Sequence, residues 1–300
     1  MMKLPQLLFI LTCVAFATNG QGYIILINNQ KIEYDKFKSF DTSLLIDVPG
    51  KKGKENKRRI DIDSVFAYYG ERSNWLEYKK PAEDSTASIP YQFIARYVSG
   101  KINLYRYYFI SRNAYTSVAV TQYFIEKEDK FERAYTANTV RHGKEKTLEN
   151  LKRLVSDNPD ILKTIDDEFN LNEENLLDVV RRYNLAAFEY PAEADTTSYA
   201  EVVIYKRLKS TTDKGIKVQV NGKDVAWPST NFLTLKVPLK ALSKVCIGGN
   251  KWCELIEGLS LVETYYKIVP DTKTGYSMEK KLKHEALTDL KMMGIKPQKK

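Results

Sequence analysis

Histidine and cysteine are scarce in this 300-residue chain, which contains two histidines, His142 and His284, and three cysteines. Acid–base catalysis and metal binding often use these side chains, so their supply is small. The chain also lacks the H-E-x-x-H, G-x-S-x-G, phosphate-loop and dinucleotide-binding motifs. We therefore predict no catalytic residue, no cofactor, no cofactor-binding residue and no metal ligand.

Long apolar runs are absent after the first twenty residues. No later segment approaches the ~18 consecutive apolar residues of a transmembrane helix, so we expect no transmembrane span in the mature chain. The start differs, because Met1-Met2-Lys3 precedes an apolar run from Leu4 to Ala17 and then Thr18-Asn19-Gly20. This order is typical of a secretory signal peptide. We predict that residues 1–20 are removed, with cleavage after Ala17 as the alternative, and that the protein is exported to the periplasm, the outer membrane or the extracellular space.

Removal of this leader changes the cysteine count. Cys13 leaves with it; lipidation of Cys13 is the alternative, but the bulky residues Ile10-Leu11-Thr12 disagree with lipoprotein processing. In an oxidising compartment, the remaining pair Cys246 and Cys253 predicts a disulfide. A turn at Gly249-Asn250 would place the two cysteines opposite each other in a hairpin. A zinc site and a redox-active pair are the alternative interpretations.

Positive charge is in excess, with a formal net charge of +9. This favours anionic partners, and export argues against nucleic acid. We therefore expect the partner to be another envelope protein or an anionic envelope polymer. The densest basic run is a candidate anion-binding loop, and a solvated hairpin loop is the alternative. Its basic residues are Lys51, Lys52, Lys54, Lys57, Arg58 and Arg59.

The spacing of apolar residues predicts a multidomain α+β protein. Short strands separated by turn residues indicate a small antiparallel β domain over 21–80. Residues 89–190 combine a short helix at Tyr91–Val98 and three strands with a helical segment. Residues 198–294 are predicted to form a β-sandwich-like module closed by a helix that carries Met278 to Met293, and residues 295–300 a disordered tail. Within this module, Asn221-Gly222 predicts a hairpin turn.

The helical segment has clear local signals. Leu148, Leu151 and Leu154 form one apolar stripe at helical spacing. Asn158-Pro159 and Asn172 are typical helix starts. The acidic residues at this junction could form a metal site, but acids at helix ends and on polar faces are the simpler interpretation. They are Asp166, Asp167, Glu168, Glu173 and Glu174.

The C-terminal strands carry a family resemblance. Val202-Val203-Ile204-Tyr205-Lys206-Arg207, Val218-Gln219-Val220-Asn221-Gly222-Lys223 and Tyr265-Tyr266 before a closing helix resemble transthyretin-like β-sandwich modules of bacterial envelope proteins. The whole layout is similar to uncharacterised secreted proteins of Bacteroidetes-type bacteria. This resemblance implies an envelope location and no catalytic residues, and it offers no activity.

Two patterns in the sequence partly match the residues of known catalytic sites. Lys273-Thr274-Gly275 and Ser277-Met278-Glu279-Lys280 spell K-T-G and S-x-x-K, but they are adjacent and in the reverse of the penicillin-binding order. The S-D-N motif is missing, so we interpret them as a chance match. The pairs Asp61/Asp63 and Glu126/Glu128 are each predicted to share a strand face, whereas glycosidase carboxylates flank a cleft.

The leading hypothesis is an exported, non-catalytic envelope protein that binds or organises another envelope component. The alternative is a hydrolase that acts on envelope glycan or peptide with carboxylates from different segments. Carboxylates from distant segments around one deep pocket would favour catalysis, and a shallow basic or aromatic surface would favour binding. Association with lipid or with the outer membrane is a third hypothesis.

Overall fold

The computed structural model describes most of the chain after the predicted leader. The described ranges are 22–40, 42–50, 53–70, 76–79, 92–112, 117–136, 141–165, 169–190, 198–206, 216–227, 232–249, 251–259, 264–271, 275–281 and 283–295. The chain divides into two compact units, residues 1–71 and 72–300. The predicted boundaries at 80, 89, 190 and 198 stay predictions. Both units are rich in antiparallel strands, so the chain has a β-rich α+β fold.

Unit 1 contains two small antiparallel sheets with strand orders β6-β1-β2 and β3-β4-β5. The strands are β1 (Gly22–Leu26), β2 (Lys31–Tyr34), β3 (Lys36–Ser39), β4 (Ser43–Asp47), β5 (Lys57–Asp61) and β6 (Val65–Gly70). Alternate residues such as Ile24, Phe37 and Ile46 are buried, as expected for sheets with one apolar face. A 3₁₀ turn at Ile62–Ser64 follows β5 with Asp61 as its cap, so the prediction that Asp61 and Asp63 share a strand face is wrong.

Unit 2 begins with an antiparallel sheet of strand order β11-β10-β9-β8-β7. The strands are β7 (Leu76–Lys79), β8 (Gln92–Val98), β9 (Asn103–Arg112), β10 (Ser117–Lys127) and β11 (Lys130–Thr136). The helix predicted at Tyr91–Val98 is wrong, since this segment is β8. The buried residues Ile94 and Val98 are four apart, a spacing that shares one face in either a helix or a strand. Pairing with β7 and β9 on either side stabilises this segment as a strand.

Helices cover one face of this sheet. They are α1 (Arg141–Leu154), α2 (Pro159–Leu162) and α3 (Glu173–Ala186). Leu151, Val180 and Tyr183 pack with strand residues such as Leu104 and Ile125 in one core. The predicted caps are confirmed, because the side chains of Asn158 and Asn172 accept hydrogen bonds from the backbone N–H groups of Ile161 and Asn175. The second helix is shorter than predicted.

The rest of unit 2 contains two four-stranded sheets. Their orders are β15-β12-β18-β19 and β14-β13-β16-β17. The strands are β12 (Tyr199–Lys206), β13 (Val218–Val220), β14 (Lys223–Val225), β15 (Phe232–Pro238), β16 (Leu242–Ile247), β17 (Trp252–Glu257), β18 (Thr264–Asp271) and β19 (Gly275–Lys281). Apolar residues of both sheets, including Ile204, Val245 and Ile268, share one core.

The closing helix α4 (Lys283–Met292) packs on the first of these sheets, where Ala286 and Leu290 contact Tyr205 and Tyr265. The prediction that this helix carries Met278 is wrong, because Met278 lies in β19. Its buried side chain lies in the core shared by the two sheets. The apolar spacing around Met278 also fits a helix, but the pairing of β19 with β18 makes this segment a strand.

Two predicted hairpins are confirmed. Asn221-Gly222 joins β13 to β14, and both turn residues have positive φ as a two-residue turn requires. In the β16–β17 hairpin, Cys246 pairs with Cys253 and their sulfur atoms lie 2.11 Å apart, at disulfide distance. Over the ranges given above, no helix is both long and apolar enough to cross a bilayer.

Candidate functional site

A cavity of about 530 Å³ lies within unit 2, where α3 meets β17 and β19. We call it the α3–β19 cavity. Its charged lining comes from Glu174, Asp178, Arg181, Glu254, Asp271, Glu279 and Lys280, and its aromatic lining from Tyr97, Trp252 and Tyr266. The lining residues come from both the helical middle of the chain and the C-terminal sheets.

Helix α3 has two different faces, one that packs in the core and one that forms a wall of the cavity. Leu176, Val180 and Tyr183 are buried in the core against the sheet. Glu174, Asp178 and Arg181 follow at i, i+4 and i+7, a spacing that forms one stripe along a helix. This stripe lies beside the cavity, because α3 packs against β17 and β8.

Strand β17 forms the facing wall. Trp252 and Glu254 are two residues apart and therefore share a strand face, and the pairing of Cys246 with Cys253 sets the register of this hairpin. The Arg181 guanidinium stacks on the Trp252 ring, with its carbon 3.4 Å from the ring centroid. The same guanidinium lies 2.5 Å from an Asp178 carboxylate oxygen. Arg181 is thus held in place by a ring and an acid.

Glu254 has the most perturbed carboxyl of the cavity. Burial raises its pKa to about 7, although the positive charges of Arg181 and Lys280 act in the opposite direction. Burial also lowers the pKa of Lys280, and the nearby Arg96 charge adds to this effect. Glu254 therefore exchanges a proton near neutral pH inside a cavity, a property common at functional sites.

A buried ionic network lies behind Lys280. Glu77 is completely buried, and its carboxylate lies 2.7 Å from the Arg96 guanidinium. Arg96 also pairs with Glu257 on β17, and Lys280 donates to the Arg96 backbone carbonyl at 3.3 Å. The network joins β7 and β8 to β17 and β19. It therefore holds the first sheet of unit 2 against both C-terminal sheets.

The network continues away from the cavity. The Tyr105 hydroxyl donates to Glu126 at 2.6 Å and lies 3.2 Å from a Glu77 oxygen. Lys79 lies 2.5 Å from the second oxygen of Glu126. Burial raises the pKa of Tyr105, and the Glu77 charge raises it further. Tyr105 therefore stays protonated as a donor between two carboxylates.

A β-bulge brings Tyr97 to the cavity. Arg96 pairs with Tyr105 and Val98 pairs with Leu104, so Tyr97 is the extra residue of β8. Bulges re-aim side chains, and they occur often beside binding sites. Arg106 lies 4.5 Å from the Tyr97 ring centroid and holds this ring from the other strand.

The cavity lining is acidic although the whole chain is basic. Five carboxyl groups and two cationic groups line it among the residues described. Carboxylates accept hydrogen bonds from hydroxyl and amine donors, and exposed aromatic faces pack against apolar ring faces. The arrangement can therefore hold a small ligand that is rich in hydroxyl groups.

The predicted anion-binding residues do not form a single loop. Lys51, Lys52 and the side chain of Lys54 lie outside the described residues. The backbone of Lys54 belongs to a short 3₁₀ helix, Gly53–Asn56. Lys57, Arg58 and Arg59 are exposed on β5. The basic run therefore ends in a strand, and its last three cations are held by a sheet.

The predicted acidic pairs do not line the cavity, whereas the S-x-x-K residues Ser277 to Lys280 do. The prediction that Glu126 and Glu128 share a strand face is wrong, because Glu128 lies in the turn after β10 with a φ of 53°. Asp61 and Asp63 form a helix cap. Ser277 and Lys280 lie on β19, so this serine does not open a helix.

The metal site that is the alternative interpretation of the acidic junction gains no geometric support. Over the described part of the chain, no group of three or more His, Cys, Asp or Glu residues could hold a metal ion. Asp166, Asp167 and Glu168, and the side chains of His142 and His284, lie outside this part. Glu173 lies 3.8 Å from Arg106, and Glu174 lines the cavity.

Sequence reasoning missed Arg96, Glu77, Glu254 and Lys280. The i, i+4, i+7 stripe of α3 was a usable signal for Glu174, Asp178 and Arg181. The strand residues had no such signal, because only the pairing and packing of distant strands bring them together. Comparisons with protein families, curated proteins and solved structures found no match for this chain.

Proposed function

We propose that this chain is an exported, non-catalytic binding protein of the cell envelope that holds a hydroxyl-rich ligand, such as a short saccharide, in the α3–β19 cavity. The observation that carries this proposal is the convergence of Glu174, Asp178, Glu254 and Glu279 around Trp252, from a helix and two strands. The cavity volume of about 530 Å³ is within the range of small-ligand sites.

Three features of the chain support the wider proposal. The leader supports export. The core shared by the two C-terminal sheets supports the sandwich-like arrangement of residues 198–294 and its resemblance to envelope modules. The acidic lining supports a neutral or amine-bearing ligand in this cavity, since like charges would repel an anion. An anionic polymer therefore needs a different surface.

The test is calorimetric titration of the mature chain with three trisaccharides: maltotriose, tri-N-acetylchitotriose and chitotriose with free amines. We expect at least one to bind, and Asp178→Asn to weaken that binding about tenfold, because a hydrogen bond to a charged group contributes about 1.5 kcal/mol or more. Glu149→Gln, on the exposed side of α1, is the matched control and should leave binding unchanged. If no saccharide binds, the ligand class is wrong.

A second function has one specific observation in its favour. Glu254, with a pKa of about 7, would keep a protonated carboxyl near neutral pH, as a glycosidase general acid does. Incubation of the same saccharides with the wild-type chain, followed by mass spectrometry, separates the two functions. Cleavage products that disappear in Glu254→Gln would establish a hydrolase. Binding without products supports the binding protein.

A further inference from the structure

Unit 1 carries a second charged surface, on the sheet β3-β4-β5. The strand register aligns Lys36 with Asp47 and Lys57, and it aligns Lys38 with Leu45 and Arg59. Since alternate strand residues point to the same side, the four cations share one face of the sheet. All four are exposed, whereas Phe37 and Ile46 on the opposite face are buried. We call Lys36, Lys38, Lys57 and Arg59 the cationic face.

The grouping is not evident in the sequence, because Lys36 and Lys38 lie 15 and 13 positions before the start of the basic run at 51–59. Pairing through β4 brings them together. Successive cations on one strand are about 6.8 Å apart, and the cations of β3 lie about 9.6 Å from those of β5 across β4. The sheet therefore holds four positive charges at defined spacings, which a free loop would not do.

One row of this face is free of acid. Lys38 and Arg59 flank the half-buried Leu45, and Phe40 follows at the end of the row with 42% of its surface exposed. The Arg59 guanidinium lies 5.8 Å from the Phe40 ring centroid. This row combines two cations with an apolar strip between and beside them.

The acids of the face are few and placed elsewhere. Asp47 lies between Lys36 and Lys57, and Asp61 accepts the backbone N–H of Asp63 at 3.0 Å. Where the structure describes both partners, none of the four cations lies within ion-pair distance of a carboxylate. The positive charges are therefore not neutralised by direct partners on their own sheet.

We propose that the cationic face binds an acidic oligosaccharide, with two acidic groups of the sugar chain paired to Lys38 and Arg59. A sugar ring between them packs over Leu45 and Phe40, because aromatic and aliphatic side chains cover the apolar faces of sugar rings. A linear chain can follow the acid-free row. A bilayer of anionic lipid is a flat field of charge that would also meet Asp47 and Asp61, so it fits this face less well.

The test uses tetragalacturonic acid as the probe and maltotetraose as its uncharged counterpart, titrated into the mature full chain at low salt. The double variant Lys38→Gln/Arg59→Gln removes the acid-free row. The control Lys130→Gln/Lys223→Gln removes the same charge from exposed positions of unit 2. Since all four side chains are exposed, thermal unfolding should show that both variants fold like the wild type.

We expect the wild-type chain to bind tetragalacturonic acid, and we expect the row variant to leave any maltotetraose binding unchanged, because an uncharged sugar needs no cation of this face. Loss of Lys38 and Arg59 should weaken binding about five- to tenfold, since each exposed ion pair contributes up to about 1 kcal/mol. The control should change it by less than about twofold. Lys36→Gln/Lys57→Gln should have the smaller effect of the two row variants, because Asp47 already screens that row.

Three results would overturn the proposal. Equal weakening by the row variant and the unit 2 control would show a response to net charge alone. Absence of tetragalacturonate binding to the wild type would remove the ligand class. Binding to phosphatidylglycerol vesicles without binding to the free oligosaccharide would assign the face to membrane contact. None of these outcomes depends on the α3–β19 cavity, which is tested with uncharged and amine-bearing sugars.

Discussion

At the scale of single residues, Glu254 shows how burial creates chemistry from an ordinary side chain. It shares a strand face with Trp252, and burial raises the pKa of its carboxyl to about 7. Arg181 and Lys280 favour the charged form but do not offset the desolvation. The Glu254 carboxyl is therefore close to half protonated at neutral pH, and its ionisation adds one negative charge to the cavity lining.

The first prediction follows from this raised pKa. A carboxyl whose pKa is about 7 in the folded chain and 4.5 when unfolded binds more protons in the folded state between these values. Its contribution to stability is therefore complete below pH 4.5 and is lost as the pH rises to 7. We expect the free energy of unfolding of the wild type, relative to Glu254→Gln, to fall by on the order of 2 kcal/mol between pH 5 and pH 8.

Urea denaturation of both proteins at several pH values measures this difference. Glu149→Gln serves as the control, because its exposed carboxyl should give no pH-dependent difference from the wild type. A difference between wild type and Glu254→Gln that is constant over this pH range would show that Glu254 titrates as in the unfolded chain.

At the scale of elements, the ionic network around Arg96 determines which strands meet at the cavity. Arg96 on β8 pairs with the fully buried Glu77 on β7 and with Glu257 on β17. Removal of one partner of a buried pair leaves an uncompensated charge, which is costlier than loss of the whole pair. The network therefore connects the first sheet of unit 2 to the C-terminal sheets.

The second prediction concerns this connection. Arg96→Met should lower the free energy of unfolding by about 3 to 5 kcal/mol, because it removes the guanidinium that lies 2.7 Å from the fully buried Glu77 carboxylate. Addition of Glu77→Gln to this variant should restore part of the loss. Chemical denaturation measures each value.

Arg153→Met is the matched control for Arg96→Met. Arg153 lies 2.6 Å from Glu132, but its side chain is 53% exposed, so its loss should cost at most about 1 kcal/mol. If Arg96→Met cost no more than this control, the buried network would not stabilise the contact between the sheets.

At the scale of the whole molecule, charge is unevenly distributed. The chain has a net charge of +9, yet the α3–β19 cavity of unit 2 is lined mainly by acids, while one sheet face of unit 1 carries four cations. The two units therefore present opposite electrostatic surfaces. The two proposed ligands differ in charge in the same way, since the cavity is proposed to hold a neutral or amine-bearing sugar and the cationic face an acidic one.

The third prediction concerns export and oxidation of the whole chain. When the full sequence is expressed in a Gram-negative bacterium, the mature protein should begin at Gln21, or at Thr18 if cleavage follows Ala17. Thiol labelling of the denatured, unreduced mature protein should find no free cysteine, because Cys246 and Cys253 lie at disulfide distance.

Intact-mass spectrometry of the labelled sample reads the new N-terminus and the thiols together. A sample reduced before labelling is the control and should gain two labels. Two labels without reduction would contradict the disulfide, and a chain that still begins at Met1 in the cytoplasm would contradict export.

The confirmed predictions depend on signals that are local in sequence. Asn158 and Asn172 cap helices through a hydrogen bond three residues away, and Asn221-Gly222 adopts the positive φ values of a tight turn. The wrong predictions have a common cause. The segments at 91–98 and around Met278 carry apolar spacings that a helix and a strand both satisfy, so pairing with neighbouring strands decided between them.

By itself, the sequence determined the helix caps, the register of the cysteine hairpin and the excess of positive charge. These features depend on interactions within a few residues or on composition. Tertiary structure alone decided which charges meet. The charged residues of the network and the cavity span about 200 positions of the sequence: Glu77, Arg96, Glu254 and Lys280. Lys38 and Arg59 share one row only because β3 and β5 both pair with β4. Burial and strand pairing act between distant segments, so both candidate sites exist only in the folded chain.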